Sequence, residues 1–365
     1  MSKIISIGTS VPSFRHDQKD ILSFMQNVYA MNEVDKRKLK FLYNQSAIDT
    51  RYSVLPDYSL NASEWEFYPA TENLEPFPNL ELRMKWFNKT APTLTVNAIE
   101  KCIDHKIAKE EITHLITVSC TGLSAPGLDL QVMEAMNLSP EIFRTSVNFM
   151  GCYAAIHGLK LADAFCHQNK NAKVLVVCTE LCTLHFQKEN TMDNIASSLL
   201  FGDGSAAVLV MHDDAKEDGL RINNFYSEIA FKGKKDMSWQ LSSSGFLMTL
   251  SGYVPDLIEE DFNKLLTNAL KNAGCNKDDI SHWCMHPGGK RILNAIEKSI
   301  NITSGDLGHS YSVLKNYGNM SSPTILFVLK EIMDSIKKNE EKKTNIFGAA
   351  FGPGLTLETF ILSDD

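Results

Sequence analysis

The chain contains 365 residues, of which 44% are hydrophobic and 22% are charged, a balance typical of folded globular proteins and not of disordered or fibrous ones. Its formal net charge is −8, and no basic stripe offers a footprint for a phosphate backbone, so we expect no nucleic-acid partner. No apolar run reaches the length of a membrane span, and the N-terminal residues lack the apolar stretch of a signal peptide. We therefore expect a cytoplasmic protein with no membrane contact.

The cysteines indicate the same compartment. They stand at positions 102, 120, 152, 166, 178, 182, 275 and 284, mostly inside apolar stretches. This placement favours free thiols in a reducing environment over a disulfide framework.

Three segments form the first copy of an internal repeat. Residues 113–120 are an apolar run typical of a buried strand, residues 151–162 have helical periodicity after a Gly, and residues 173–178 form another apolar run. Strand, helix and strand in this order predict one α/β unit.

The same plan returns in the second part of the chain, at residues 281–286, 318–329 and 344–350. Cys152 stands 38 positions after His114, and Asn319 stands 37 positions after His282. The matched offsets predict two similar α/β halves, residues 1–215 and 216–365. The alternative is that any α/β protein alternates strands and helices, and periodicity by itself does not require duplication.

Cys152 and Asn319 occupy equivalent steps of the two copies, each directly after a Gly. Both open helical runs, where free backbone N–H groups favour negative charge, so we expect a lowered thiol pKa for Cys152. Two halves packed about a pseudo-twofold axis would bring both helix starts to the centre. Cys152 is therefore the candidate nucleophile, and a buried structural cysteine is the alternative.

His286 ends the strand of the second copy and precedes a Pro-Gly-Gly turn, where a ligand can approach closely. Its imidazole could stabilise a Cys152 thiolate, and His286 and Asn319 together could donate hydrogen bonds to a thioester oxygen. Such a pair of donors suits the decarboxylative condensation of a malonyl thioester, because the enolate that forms needs them.

Two groups of His and Cys resemble metal sites: His282, Cys284 and His286 along one strand, and Cys178, Cys182 and His185. Neither group has the paired spacing of a closed zinc site, and apolar residues surround both. We predict no metal and no cofactor.

Five short segments together carry a family resemblance. They are Gly151-Cys152-Tyr-Ala-Ala, Leu200-Phe201-Gly202-Asp203-Gly204, His286-Pro287-Gly288-Gly289, Tyr317-Gly318-Asn319-Met320-Ser321-Ser322 and Phe351-Gly352-Pro353-Gly354. In this order and spacing the chain resembles the chalcone synthase-like type III polyketide synthases over nearly its whole length. The resemblance implies a five-layered αβαβα thiolase fold built from two similar halves, a homodimer, and a buried Cys-His-Asn site reached by a CoA tunnel.

The resemblance also implies roles for individual residues. Cys152 would accept the acyl group, while His286 and Asn319 would support thiolate formation, decarboxylation of malonyl-CoA and oxyanion binding. Phe201 matches the family's gatekeeper aromatic, and Met248 stands at the second gatekeeper position unless the alignment shifts to Phe246. The remaining cavity residues implied are His185, Trp239, Ser321, Pro353 and Ala125, whose loop reaches the cavity of the partner subunit in this family.

Binding of CoA is expected at Lys38, Lys40, Gly289, Lys290 and Arg291. Phe41 and Gln45 stand where plant members carry basic residues. Either the CoA phosphates are held differently, by Lys290 or Arg291, or the starter arrives on an acyl carrier protein.

Other interpretations stay open at this point. Ketoacyl-ACP synthase III and hydroxymethylglutaryl-CoA synthase share the thiolase fold and a Cys nucleophile, but the former pairs its Asn with a different His motif and the latter needs a Glu near the Cys. A non-catalytic acyl-binding scaffold is a further alternative, although all three catalytic residues are present. For an enzyme of the resembling family we expect a pyrone, resorcinol or phloroglucinol-type product, and the flexible Met248 favours an aliphatic starter.

Overall fold

The computed structural model describes residues 1–29, 31–71, 73–339 and 344–364. The first part of the chain forms β1 (Ser2–Ser10), β2 (Phe14–Asp17), α1 (Gln18–Val28), α2 (Glu33–Gln45), β3 (Thr50–Ser53), α3 (Leu80–Ile103), β4 (His114–Ser119), α4 (Leu128–Met136), β5 (Phe143–Asn148), α5 (Ala154–Gln168), β6 (Lys173–Leu181), α6 (Met192–Leu200) and β7 (Asp203–His212). The second part forms β8 (Leu220–Ile229), β9 (Met237–Ser242), β10 (Gly245–Leu250), α7 (Val254–Ala273), β11 (His282–Met285), α8 (Lys290–Ile300), α9 (Gly308–Tyr317), α10 (Thr324–Asn339), β12 (Asn345–Gly352) and β13 (Thr356–Ser363).

The strands of the two parts form one sheet in the order β11-β12-β13-β8-β1-β7-β6-β4-β5. The parts meet where Ser2, Lys3 and Ile4 of β1 pair antiparallel with β8. Within each part the two predicted strands of the repeat lie side by side and parallel, β4 with β6 and β11 with β12. Parallel neighbours require a crossover connection, which is the βαβ unit that the sequence predicts.

Alternating side chains divide the interior into three apolar cores. In β6, Leu175 and Val177 join the core that contains α3, whereas Val174 and Val176 join a central core with α5 and α10. Burial on both faces explains why β6 is almost continuously apolar.

The second part of the sheet repeats this arrangement. In β12, Ile346 and Ala350 belong to the central core, whereas Phe347 and Ala349 belong to a third core with α7 and α8. The molecule therefore has five layers. The first layer is formed by α3 with α4, the second by the first part of the sheet, the third by α5 with α10, the fourth by the second part of the sheet, and the fifth by α7 with α8. This confirms the predicted five-layered αβαβα thiolase fold.

Gly151 and Gly318, which precede Cys152 and Asn319, allow the backbone to lie close to neighbouring residues. Gly151 has a φ of +88° and Gly318 a φ of +69°, a region that other residues adopt at a cost. A Cβ on Gly151 would also lie 2.2 Å from Cδ of Pro353. Cys152 stands directly before the first turn of α5, as predicted. Asn319 is separated from α10 by a turn, so the helix dipole acts on it less directly than predicted.

All eight cysteines carry free thiols, which confirms the prediction from their apolar surroundings. Within the described ranges, no helix combines the length and the apolar character needed to cross a lipid bilayer.

Candidate active site

One cavity of about 380 Å³ brings together the three predicted catalytic residues, Cys152, His286 and Asn319. Its wall also includes nine further residues predicted from the sequence: His185, Phe201, Trp239, Met248, Gly289, Lys290, Arg291, Ser321 and Pro353. The cavity does not include Lys38, Lys40 or Ala125 among its lining residues. Residues from both halves of the repeat thus converge on one site.

Cys152 lies at the inner end of this cavity with 9% of its surface exposed. Burial raises the pKa of its thiol to about 11, and the side chains of Ser321 and Asn319 offset part of this effect by hydrogen bonding. The expectation of a lowered pKa is therefore wrong for the resting site, because loss of hydration outweighs the field of the helix start. At neutral pH the resting residue is a thiol.

His286 follows β11 and is held by its backbone N–H, which donates to the Ala349 oxygen at 2.9 Å. The side chain is 1% exposed, and neither ring nitrogen has a hydrogen-bond partner among the described residues. Burial lowers the pKa of His286 to about 3. The imidazole is therefore neutral, and its N–H group is left for a bound molecule.

Asn319 presents its amide nitrogen in a fixed direction. Its Oδ1 accepts a hydrogen bond from the Ser321 N–H at 2.8 Å, so Nδ2 must be on the other side of the amide. There Nδ2 lies 3.4 Å from the Gly288 oxygen of the Pro-Gly-Gly turn. This long contact places the Asn319 donor beside the turn that follows His286.

The backbone of Phe201 pairs with the Asn319 segment as an isolated bridge. The Asn319 N–H donates to the Leu200 oxygen at 2.9 Å, and the Gly202 N–H donates to the Asn319 oxygen at 3.0 Å. Phe201, the predicted gatekeeper, and Asn319, the predicted amide donor, are therefore linked through their backbones.

Arg51, which was not identified from the sequence, stabilises the backbone pairing of Phe201 and Asn319. Its Nη1 donates to the Phe201 oxygen at 2.6 Å and its Nε to Gln18 Oε1 at 2.9 Å. The side chain is 4% exposed, no carboxylate of the described residues lies within ion-pair distance, and Nη2 has no partner. Arg51 and Phe201 are 150 positions apart, so no local pattern could have revealed the contact.

Met248 and Phe246 both line the cavity, but they differ in exposure and in contacts. The Phe246 ring is 1% exposed and stacks on His185 with ring centroids 4.2 Å apart. Met248 is half-buried in the cavity wall. The assignment of the second gatekeeper position to Met248 in preference to Phe246 stays a prediction.

His185 and Trp239 form a rigid part of the wall. His185 Nε2 lies 2.8 Å from the Thr121 oxygen, and its Nδ1 accepts from the Phe246 N–H at 3.1 Å. These partners fix the tautomer, with the proton on Nε2, and burial lowers the pKa of His185 to about 3. Trp239 Nε1 donates to the Cys120 oxygen at 2.7 Å. The hydrogen-bonding groups of both side chains are satisfied by the protein backbone, so His185 and Trp239 act on a substrate through the shape of the cavity.

Glu180 is a buried carboxylate that the sequence did not single out. It accepts hydrogen bonds from the Cys120 N–H at 2.9 Å and from the hydroxyls of Thr121 and Ser322, both at 2.7 Å. Burial raises its pKa to about 7. Cys120 Sγ accepts in turn from the Gly151 N–H at 3.0 Å. This network ties the loop of Cys152 to the loop of Asn319.

The predicted CoA-binding residues divide into two groups. Gly289, Lys290 and Arg291 line the cavity at the N-terminus of α8. Lys38 and Lys40 are exposed on α2 outside the cavity wall, because only the last turn of that helix reaches it. Ala125 is exposed and lies outside this chain's cavity.

Neither predicted His/Cys group is arranged as a metal site. In the described ranges no cluster of three or more His, Cys, Asp or Glu side chains is placed to hold an ion. Cys284 instead packs in the central core, with its thiol directed to the Ile325 oxygen at 3.5 Å.

Comparison with known protein families agrees with this geometry. Residues 1–214 match the model of the N-terminal domain of chalcone and stilbene synthases, and residues 224–364 match the model of their C-terminal domain. The type III polyketide synthase C of Arabidopsis thaliana is 28% identical over 370 residues, which cover 98% of this chain and 94% of the relative. A putative chalcone synthase of Bacillus subtilis is 29% identical over 376 residues, covering 100% and 99%.

Solved structures show the same likeness across the whole fold. The polyketide synthase PKS-I of the brown alga Ectocarpus siliculosus superposes with a TM-score of 0.92 at 25% identity, covering 100% of this chain and 98% of that chain. The C-terminal type III domain of a type I/III polyketide synthase hybrid from Dictyostelium gives 0.90 at 28% identity, with coverages of 100% and 99%. These matches assign the chain to this branch of the thiolase fold in preference to the ketoacyl-ACP synthase III, hydroxymethylglutaryl-CoA synthase and non-catalytic alternatives. The chain belongs to the chalcone and stilbene synthase family and is a type III polyketide synthase, a condensing acyltransferase.

Proposed function

We propose that this enzyme binds an acyl starter as a thioester of Cys152 and extends it with successive malonyl-CoA units, releasing a cyclised polyketide. The observation that carries the proposal is the convergence of Cys152, neutral His286 and the oriented amide of Asn319 in one apolar cavity. His286 and Asn319 offer uncharged N–H donors, which is what an enolate oxygen requires.

Loading of the starter begins from the thiol form of Cys152. The S–H proton passes to neutral His286 as the sulfur attacks the carbonyl carbon of the acyl-CoA. The bond between that carbon and the CoA sulfur then breaks, and the CoA thiolate takes the proton from His286. Because burial disfavours an isolated charge on either residue, the ion pair exists only while substrate is present.

Extension follows from the same two donors. Malonyl-CoA loses its carboxylate as CO₂, and the electron pair forms the enolate of acetyl-CoA, whose oxygen accepts hydrogen bonds from His286 and Asn319. The enolate carbon attacks the acyl carbon on Cys152, and collapse of the adduct expels the Cys152 thiolate. The lengthened chain is then a CoA thioester that can be returned to Cys152 for another cycle.

The cavity wall favours an aliphatic starter. Met248 replaces a planar ring by a flexible thioether next to Phe201, whereas His185 and Trp239 are fixed by hydrogen bonds to the backbone. The first feature admits an alkyl chain, and the second limits the number of extensions. We therefore propose short polyketides that close to a pyrone, resorcinol or phloroglucinol-type ring.

We further propose a cytoplasmic homodimer that pairs through β5. This strand is at the edge of the sheet, and its first residue, Phe143, is 70% exposed. An exposed edge strand with a large apolar side chain is a ready surface for a second copy. Ala125 is exposed next to α4, where a partner would cover it, and the family resemblance predicts that it reaches the partner's cavity.

The test of this function is product analysis with malonyl-CoA and a series of acyl-CoA starters from acetyl- to dodecanoyl-CoA, by mass spectrometry and CO₂ release. We expect malonyl-dependent products that are lost in Cys152→Ala, with a maximum for an aliphatic starter. Absence of any malonyl-dependent product, together with CO₂ release that is the same in Cys152→Ala, would contradict the proposal.

A further inference from the structure

The outward face of α2 combines apolar and basic side chains beside the cavity entrance. Val34, Lys38, Phe41 and Gln45 follow helical spacing and so share one face. Val34 is 52% exposed and Phe41 is 64% exposed, while Gln45 at the end of the face lines the cavity. A phenylalanine pointing into solvent at this position has no role in the core of the protein.

Exposed apolar and aromatic side chains also occur at two further segments that line the cavity. Met192, at the start of α6, is 69% exposed and also lines the cavity. Tyr253 is 72% exposed next to Gly252, which lines the cavity and lies beside the Arg291 guanidinium. Exposed apolar and aromatic side chains therefore lie at or next to three segments that line the cavity, namely α2, the start of α6 and residues 252–253.

The cations of this rim are largely unneutralised. No ion pair within the described residues involves Arg37, Lys40, Lys290 or Arg291, whereas Lys38 pairs with Asp35 in an exposed contact that is weak in water. A basic island is notable on a chain whose net charge is −8. Lys290 and Arg291 line the cavity that contains Cys152, and Arg37 and Lys40 belong to the helix whose last turn lines it.

We infer that this rim docks an acidic acyl carrier protein, which delivers the starter on a phosphopantetheine arm through the opening to Cys152. The inference rests on the proposed function and names the donor of its first substrate. Lys290 and Arg291 would meet the phosphate of the arm at the N-terminus of α8, where free N–H groups also favour an anion. Val34, Phe41, Met192 and Tyr253 would contact apolar side chains of the carrier.

Free CoA and a membrane fit the rim less well. The nucleotide of CoA is a polyanion and would not bind the four exposed apolar side chains. At Phe41 and Gln45 the helix also lacks the positive charge that would bind the CoA phosphates. An anionic membrane would repel a protein of net charge −8 except at this small island. A carrier protein matches the apolar and the basic component together, because protein interfaces combine an apolar centre with a charged rim.

The experiment compares two donors of the same decanoyl group, a bacterial fatty-acid acyl carrier protein and CoA, and follows acylation of Cys152 by intact-protein mass spectrometry. The variants are Phe41→Glu and Arg37→Glu. The matched control is Phe231→Glu, because Phe231 is 75% exposed and lines a separate surface cleft. Phe41→Gln supplements Phe41→Glu if the latter does not fold.

The quantity that decides is the kcat/KM for the carrier divided by that for CoA. We expect this ratio to fall roughly tenfold or more in Phe41→Glu and Arg37→Glu, to stay unchanged in Phe231→Glu, and to fall with added salt. An unchanged ratio in the rim variants, or no transfer from the carrier by the wild type, overturns the docking inference while the proposed function stands.

Two further outcomes are distinct. If binding to vesicles of anionic phospholipid depends on Phe41 while transfer from the carrier does not, the rim is a membrane surface and the inference is wrong. If neither donor acylates Cys152 and malonyl-CoA gives no product, the proposed function itself is wrong.

Discussion

Replacement of Asn319 by Ala removes both the donor and the acceptor of its amide, and the two losses should appear in different measurements. Nδ2 is the donor toward the substrate oxygen, and Oδ1 accepts the Ser321 N–H at 2.8 Å. Loss of one preorganised donor to a developing oxyanion lowers kcat roughly 100- to 1,000-fold, and we expect this loss in decarboxylation. Loss of the acceptor leaves a buried N–H unpaired, so the free energy of unfolding should fall by about 1–3 kcal/mol.

Asn319→Asp is the matched control for the donor. Its carboxylate can accept the Ser321 N–H as the amide does, but it carries no N–H and places a negative charge beside the enolate. We therefore expect Asn319→Asp to lose at least as much decarboxylation as Asn319→Ala without leaving the Ser321 N–H unpaired.

The assay measures CO₂ release from malonyl-CoA and acylation of Cys152 by decanoyl-CoA in the same preparations. Asn319 also offers a hydrogen bond to the Cys152 thiol, so acylation should fall as well, but less than decarboxylation, because His286 and not an amide takes the thiol proton. Equal losses of acylation and decarboxylation, or CO₂ release at the wild-type rate, would refute the assigned role of Asn319. Denaturant unfolding measures the stability change independently.

The remaining predictions concern the thiol, the gatekeeper and the Gly-Cys step. Alkylation of Cys152 by iodoacetamide should accelerate about tenfold for each pH unit up to about 11, since burial raises its thiol pKa to that value; a plateau near neutral pH would contradict this. Met248→Phe should lower the preference for dodecanoyl-CoA over acetyl-CoA by about tenfold or more, measured as a ratio of kcat/KM, and an unchanged ratio would exclude Met248 from starter selection. Gly151→Ala should lower the free energy of unfolding by more than the roughly 1–2 kcal/mol that a positive φ costs, because its Cβ would overlap Pro353. The control is Gly274→Ala, which has a φ of +70° and nothing within 4 Å of its Cβ and should therefore show the backbone cost alone. Equal losses of stability in the two variants would refute the overlap.

The sequence, through its family resemblance, predicted the layers of the fold and the three residues Cys152, His286 and Asn319 that line one cavity. Runs such as β6 are apolar because both faces are buried, and buried strands can be identified from composition alone. Cys152 and Asn319 each follow a glycine, and His286 precedes a Pro-Gly-Gly turn, so short motifs mark all three. Apolar composition of a strand and glycine-containing motifs are local features, and local features can be recognised directly in a sequence.

The pKa of Cys152 could not be predicted in the same way. The field of a helix start is visible in the sequence near residue 152, but the desolvation that raises the pKa comes from residues distant in the chain. The same holds for Glu180, whose hydrogen bond to Ser322 joins residues 142 positions apart. Burial is a property of the assembled fold, and where it opposes a local effect the local argument gives the wrong sign.

Duplication explains how a neutral site can still drive charged chemistry. The equivalent steps after Gly151 and Gly318 carry different side chains, the proposed nucleophile in one half and the proposed amide donor in the other, although only Cys152 stands close to the start of its helix. Because the resting Cys152 and His286 are both uncharged, neither of these two buried side chains carries a charge before substrate arrives. Charge develops only when a thioester oxygen lies between His286 and Asn319, and donors that act only then lower the barrier without stabilising the ground state.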